Sequence, residues 1–171
     1  MGTLTVDNLN LAGTAVTQVG KVLQVQSAFK SDTDSTTSTS DVAIAGLSLT
    51  LTPASTSSKV LVQFDVGTMG NNYNAHMFFT VYRSIGGGSY SAIGLGTGGG
   101  SYNYGAGSYA GNGAYHTVGQ CVLDSPNTTS TITYKLYFRG SSGSYTYYIN
   151  RRSSDDLFRG STSLICMEVK G

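Results

Sequence analysis

Charged residues are scarce in this chain: 11% of its 171 residues are Asp, Glu, Lys or Arg, against roughly 25% in an ordinary globular domain. The formal net charge of +1 gives no general attraction to nucleic acid or to an anionic membrane surface, so we expect neither partner. No apolar run approaches the ~20 residues that span a bilayer, so we expect no membrane insertion. The length suits one domain with a sizeable core.

Residues with metal-binding or catalytic chemistry are equally few. The two cysteines, Cys121 and Cys166, have no further cysteine or histidine at metal-binding spacing. We predict that both thiols are free, and a disulfide is the alternative if their strands are neighbours. The two histidines, His76 and His116, are predicted at strand ends, and no Gly-x-Ser-x-Gly elbow is present. We therefore assign no catalytic residue, metal or cofactor, and expect a protein that is not an enzyme.

The chain has only two prolines, so proline does not prevent helices here. No stretch sustains a helical period even so, because glycines and β-branched residues interrupt every segment. Several short strands with turn residues between them predict an all-β protein, an antiparallel β-sandwich of the jelly-roll type with about eight strands. The predicted strands are Lys21 to Lys30, Val42 to Thr52, Lys59 to Thr68, His76 to Ser84, Tyr115 to Leu123, Thr131 to Arg139, Tyr145 to Asn150 and Thr162 to Lys170.

The alternation of side chains within these strands predicts which residues form the core. Val60, Val62, Phe64 and Val66 share one face of the third strand, and the sixth strand alternates in the same way. In the second strand Gly46 is predicted to absorb an extra residue as a bulge. Residues 140–144 are predicted to join the sixth and seventh strands as a hairpin.

The first twenty residues differ from the rest of the chain. A short alternating stretch there is interrupted by Asn8, Asn10 and Gly13. We predict that residues 1–20 form an N-terminal arm or attachment segment and that residues 21–171 form the sandwich domain. Such an arm can add a strand to the open sheet edge of a neighbouring protein, and a frayed terminus stays open as the alternative.

Residues Gly86 to Tyr115, the glycine-tyrosine segment, hold 12 of the 23 glycines, five tyrosines and no charged residue. Rigid aromatic rings among Gly, Ser and Asn are the mixture that binding loops favour. The predicted ligand-binding residues are Tyr90, Tyr102, Tyr104, Tyr109 and Tyr115. Gly94 to Gly99 matches a dinucleotide-binding spacing by chance, because the preceding strand, the following helix and the acidic residue that such a site needs are all missing.

Asp155 and Asp156 are candidate carboxylates for glycoside cleavage, which needs two such groups on opposite sides of a bond. Arg151, Arg152 and Arg159 surround them in sequence. An ion-paired surface loop or subunit interface is the interpretation that we favour.

A series of low-complexity motifs, in a fixed order, resembles tail-fibre-like virion proteins of bacteriophages. The motifs are Gly20 to Val25, Lys30 to Thr33 with the serine-threonine stretch to Ser40, Ile44 to Leu49, Pro53 to Val62, Leu123 to Pro126, Thr133 to Leu136 and Ser161 to Val169. The resemblance runs from about Gly20 to the end. The chain departs from it in its glycine-tyrosine segment and in lacking a shaft.

The resemblance implies a jelly roll of the tumour-necrosis-factor type that forms homotrimers at the outer end of a virion appendage. It carries no catalytic motif. We thus expect a virion protein, assembled in the host cytoplasm and exposed on the particle, that attaches to another virion protein through its N-terminal arm and contacts host surface polysaccharide. A capsid decoration or head-fibre protein is the first alternative, and a polysaccharide-degrading tail enzyme is the second.

Overall fold

The computed structural model describes residues 10–11, 14–15, 20–71, 75–98, 102–110, 116–155 and 157–171. These residues form strands and turns and no helix, so none of them makes a helix that could cross a membrane. The strands are β1 (Asn10–Leu11), β2 (Thr14–Ala15), β3 (Val22–Lys30), β4 (Asp34–Thr36), β5 (Val42–Leu51), β6 (Lys59–Asn71), β7 (Ala75–Ile85), β8 (Ser91–Ile93), β9 (Ala106–Ala110), β10 (His116–Asp124), β11 (Ile132–Gly140), β12 (Tyr147–Ile149) and β13 (Thr162–Val169).

Two antiparallel sheets make up the domain. The first sheet has the order β3-β13-β6-β10, and the short strands β12 and β4 continue it beyond the end of β13. The second sheet has the order β5-β11-β7, with β8 and β9 side by side along the free edge of β7. Successive long strands largely alternate between the sheets, as in a double Greek key. The predicted all-β antiparallel sandwich of the jelly-roll type is confirmed.

The core lies between the sheets and follows the predicted alternation. In β6, Val60, Val62, Phe64 and Val66 are at most 1% exposed, because residues two apart on a strand point to the same side. On β11 the alternate residues from Ile132 to Phe138 are buried opposite them. Burying these aliphatic and aromatic side chains contributes about 1.5–3 kcal/mol each, which stabilises the sandwich.

Gly46 forms the predicted bulge in β5. Lys135 of β11 pairs with Ser48, but Tyr137 pairs with Ala43, so the register shifts across Gly46. The glycine has a φ of 82°, a conformation that a residue with a side chain rarely adopts. The bulge keeps Ile44 and Leu47 both in the core, three residues apart.

One predicted turn is wrong. Residues 140–144 do not close a hairpin, because β11 belongs to the second sheet and β12 to the first. The ring of Tyr147 lies directly against Gly140, where a side chain would overlap it. Residues 140–144 therefore carry the chain from the second sheet to the first. Turn residues alone do not distinguish such a connection from a hairpin within one sheet.

Two strands, β8 and β9, lie inside the stretch that we predicted as loop. β8 has only three residues, and β9 consists mostly of glycine and alanine, so neither shows the apolar alternation of a strand. Their pairing with β7 is what makes them strands. The segment from 86 to 115 thus extends the second sheet over its described residues.

The cysteines lie on opposite faces of the first sheet. Cys166 is buried in the core, whereas Cys121 is exposed on the outer face. Both thiols are free, as predicted, because β6 separates β10 from β13 and the two side chains lie on opposite faces of the sheet.

The predicted arm falls mostly outside the described residues. Within it, β1 pairs with β2 in a two-stranded ribbon. The division between residues 1–20 and 21–171 stays a prediction.

Candidate functional site

Aromatic and cationic side chains collect on the outer face of the second sheet, which we call the aromatic face. Alternate residues of β7 and β11 point to this face, since their neighbours in sequence fill the core. Cross-strand pairing sets Arg139 beside Phe78 and Lys135 beside Tyr82. The aromatic face comprises His76, Phe78, Tyr82, Lys135, Tyr137 and Arg139 from these strands, and Tyr90, Tyr102, Tyr104 and Tyr109 from the glycine-tyrosine segment.

Phe78 is the centre of the larger ring cluster. Its ring centroid lies 5.0 Å from that of Tyr102 and 4.5 Å from that of Tyr104. These rings cover Phe78 so well that it is 3% exposed. The chain thus covers Phe78 with its own tyrosines, so this residue offers no apolar surface to another copy.

Gly107 allows this close approach. It pairs with Phe78 across β9 and β7, and a Cβ there would lie 3.2 Å from the Phe78 ring and 2.9 Å from the Tyr104 ring. A larger residue would push the rings apart. Two residues on, Tyr109 packs against His76 with centroids 4.9 Å apart.

Arg139 connects the rings to a buried polar network. Its guanidinium lies 5.1 Å from the Phe78 centroid and 5.6 Å from the Tyr102 centroid, within the range of cation–π attraction. It also forms an ion pair with Asp41, Nε to Oδ1 at 3.2 Å. The Tyr82 hydroxyl donates to Oδ2 of the same carboxylate at 2.7 Å.

Burial, and then this hydrogen bond to Asp41, raises the pKa of Tyr82 to about 12. The hydroxyl is therefore a proton donor throughout the physiological pH range. Arg139 and Tyr82 together fix the Asp41 carboxylate, so the polar part of the face is held in one arrangement without a ligand.

A second ring cluster lies along the same face. Tyr82 and Tyr137 pack with centroids 4.3 Å apart, and Tyr90 lies 6.4 Å from Tyr137. The Lys135 ammonium lies 4.7 Å from the Tyr90 ring centroid. An ammonium beside a half-open ring can contact an acidic group of a molecule that stacks on that ring.

The structure brings together three of the five predicted site residues. Tyr102, Tyr104 and Tyr109 belong to the Phe78 cluster, Tyr90 belongs to the second cluster, and Tyr115 lies outside the described residues. Tyr90, Tyr102 and Tyr109 are 36%, 47% and 50% exposed. Each of these three rings keeps one side packed and one side open to a ligand.

Several residues of the face escaped the sequence prediction, namely Asp41, His76, Lys135, Tyr137 and Arg139. A signal for some of them was present, since Lys135, Tyr137 and Arg139 occupy every second position of a strand whose other positions are apolar. Asp41 gave no signal, because it lies far from Arg139 in sequence.

A cleft of about 560 Å³ opens beside Tyr102 and Tyr104, between residues 94–98 and 102–105. Its walls are tied together by hydrogen bonds from Gly96 N to the Tyr104 carbonyl at 3.1 Å and from Gln120 Nε2 to the Gly94 carbonyl at 2.7 Å. Thr97 and Asn103 add polar side chains to the lining. The expectation that no strand precedes Gly94 is wrong, because β8 ends at Ile93. No helix follows this stretch among the described residues, so the dinucleotide interpretation stays rejected.

The described residues hold no group of three or more His, Cys, Asp or Glu side chains placed to bind a metal ion. Asp155 forms an ion pair with Arg152, which lowers the pKa of that carboxyl. This contact agrees with the favoured surface-loop interpretation of Asp155, and Asp156 lies outside the described residues.

Comparison with protein-family models and with curated proteins gave no match. Among solved structures, a structure of infectious bursal disease virus, Gx strain, has a TM-score of 0.42 and 11% identity, covering 99% of this chain and 44% of that chain. A structure of the Gt strain of the same virus has a TM-score of 0.44 and 10% identity, covering 100% of this chain and 43% of that chain. The chain thus spans less than half the length of either.

Proposed function

We propose that this chain is a structural protein of a virus particle that binds host surface polysaccharide through the aromatic face. The observation that carries the binding proposal is the set of half-exposed tyrosine rings, Tyr90, Tyr102 and Tyr109, which pack against the residues of one sheet and lie near fixed polar groups. The virion assignment rests on the sequence resemblance to tail-fibre-like proteins.

Sugar rings offer apolar C–H faces and a rim of hydroxyl groups. A tyrosine ring supplies a flat apolar surface for the first and a hydroxyl for the second. The sheet keeps the rings in place, so little conformational entropy is lost when a sugar binds. Arg139 and Asp41 lie beside the Phe78 cluster as hydrogen-bonding groups of both kinds.

The position of Lys135 favours one class of polysaccharide over another. Because its ammonium lies beside the Tyr90 ring, we expect acidic polysaccharides to bind more tightly than neutral ones, with the difference reduced by salt. A homotrimer would repeat the face three times and raise the avidity of weak sites. The trimer is part of the proposal.

The test compares Tyr102→Ala and Tyr109→Ala with Tyr148→Ala. Tyr148 also stacks on an arginine but belongs to the first sheet, so it is a matched control. Adsorption of purified protein to host cells, and its binding to acidic and neutral envelope polysaccharides, should fall about tenfold for the two variants of the aromatic face and stay unchanged for the control.

Three results would count against the proposal. Unchanged adsorption of the Tyr102 and Tyr109 variants would remove the aromatic face as the binding site. Release of oligosaccharides by purified protein would indicate the polysaccharide-degrading enzyme instead. Cryo-electron microscopy that places the chain flat on a capsid, with the aromatic face covered, would favour a decoration protein.

A further inference from the structure

The outer face of the first sheet carries a row of aliphatic side chains across all four long strands. Met167 pairs with Val25 on one side and with Leu61 on the other, and Leu61 pairs with Leu123. Directly paired residues share a face of a sheet. Val25 is 53% and Leu123 is 55% exposed, so the two ends of this row lie in water.

Opposite charges stand on the two sides of this aliphatic row. Every second residue of β6 from Lys59 to Asp65 lies on the outer face of the sheet, with Leu61 and Gln63 between these two. Lys59 and Asp65 are both exposed. Six residues of extended strand separate them by about 20 Å. They therefore cannot pair within one chain.

A hollow and a projecting side chain complement each other on the same face. The hollow, of about 340 Å³, lies over Gly119 and is bounded by Gln63, Asp65 and Cys121. Gly119 has no side chain to fill it, whereas Leu123 projects four residues further along β10.

We propose that two copies of this chain pack these outer faces together about a two-fold axis that runs across the strands at the level of Val62. Residues of β6 that are equidistant from Val62 then face each other: Lys59 opposes Asp65 of the partner copy, and Leu61 opposes Gln63. The Lys59–Asp65 pair therefore forms twice, once on either side of the axis. A two-fold contact needs such a self-complementary surface.

The same axis accounts for the other strands. The pairing of Met167 with Leu61 and of Ile165 with Gln63 places Met167 over Ile165 of the partner copy. Leu123 pairs with Leu61, and Cys121 pairs with Gln63. The axis therefore places Leu123 over the partner's Cys121, beside the hollow at Gly119. The strands of the two sheets run nearly aligned, which is a common packing for twisted sheets.

The size of the surface sets the strength of association. Four strands about 4.8 Å apart and seven residues of about 3.3 Å each give a footprint of about 440 Å². This is at the low end for specific contacts, so we expect reversible association at micromolar concentrations. The contact leaves the aromatic face of the other sheet open and is independent of polysaccharide binding. A trimer contact would use a different surface.

The experiment is a charge swap in the full chain, with mass measured by light scattering over a range of protein concentrations. Lys59→Asp and Asp65→Lys each bring like charges together across the axis, so each should raise the dissociation constant about tenfold. The double variant restores opposite charges and should return to the wild-type mass. Because the two positions are too far apart to pair within a chain, such restoration identifies a contact between copies.

A second pair of variants tests the apolar row. Leu123→Ser should weaken association, whereas Leu95→Ser, at an exposed leucine of the glycine-tyrosine segment, should not. Equal unfolding midpoints show that all variants fold. A wild-type chain that stays monomeric at high micromolar concentration, single reversals that keep the wild-type mass, or a double variant that does not recover would each overturn the proposal.

Discussion

Glu168, the only glutamate of the chain, is 1% exposed, and its replacement by glutamine should destabilise the protein by about 1–3 kcal/mol at pH 7. Its carboxylate accepts hydrogen bonds from Gln24 Nε2 at 2.6 Å and from Ala54 N at 2.7 Å. Gln24 also donates to the Thr52 carbonyl at 2.8 Å. These bonds fasten the edge strand β3 and the turn after β5 to β13.

Glu168→Gln replaces one acceptor oxygen by a donor. Either Ala54 N or Gln24 then faces an amide group that cannot accept, and turning the Gln24 amide would give up its bond to Thr52. One unsatisfied buried donor accounts for the expected 1–3 kcal/mol. For a chain of this length a loss of about 2 kcal/mol lowers the melting temperature by about 4–8 °C.

The pH dependence of this difference is the sharper test. Burial opposes ionisation of Glu168, but the hydrogen bonds from Gln24 and Ala54 outweigh it and lower the pKa below its usual 4.5. A lowered pKa contributes stability above the unfolded-state value and loses it as the pH falls through the folded-state value. The difference between wild type and Glu168→Gln should therefore be full at pH 7 and shrink in acid below about pH 4.5.

The assay is chemical denaturation at low protein concentration, from pH 7 to pH 3. Asp65→Asn serves as the control, since it removes the same charge from an exposed position of the same sheet and should change stability by less than about 0.5 kcal/mol. A Glu168→Gln difference below about 0.5 kcal/mol, or one that does not change with pH, would refute the reasoning.

Two further predictions concern packing and thiol reactivity. Gly140→Ala should destabilise the protein by at least about 3 kcal/mol, because its Cβ would overlap the Tyr147 ring; thermal unfolding measures this, and an unchanged melting temperature would contradict it. Burial raises the pKa of Cys166 to about 12, so a thiol reagent at pH 8 should modify Cys121 alone in the folded protein and both cysteines after unfolding. Rapid reaction of two thiols in the folded state would show that β13 is less protected than its burial indicates.

The strands that the sequence predicted are those whose own residues carry the pattern. In β6 and β11 the alternation of apolar and polar residues predicts burial at every second position. In β5 the glycine at position 46, which has no side chain, predicts the bulge. β8 and β9 could not be found in this way, because β8 is only three residues long and β9 is mostly glycine and alanine. Their pairing with β7 is what makes them strands.

The sequence predicted several residues of the candidate site but not their positions in the fold. The tyrosines of the glycine-tyrosine segment were recognisable as rings suited to binding, but the sequence presented them as a projecting loop. In the structure Tyr102 and Tyr104 lie on Phe78 of their own sheet, and Arg139 joins them to Asp41. Such contacts depend on which strands are neighbours, and local propensity does not specify this.

The sequence by itself thus determined the all-β class and the core positions, since alternation is a property of short stretches. The free thiols were decided by the fold, which puts Cys121 and Cys166 on opposite faces of one sheet. Only the tertiary structure decided which exposed residues act together. Strand order put Val25, Met167, Leu61 and Leu123 into one row on the first sheet. The same order put the tyrosine rings beside Arg139 on the second sheet, because residues distant in the chain meet only when the strands that carry them pair.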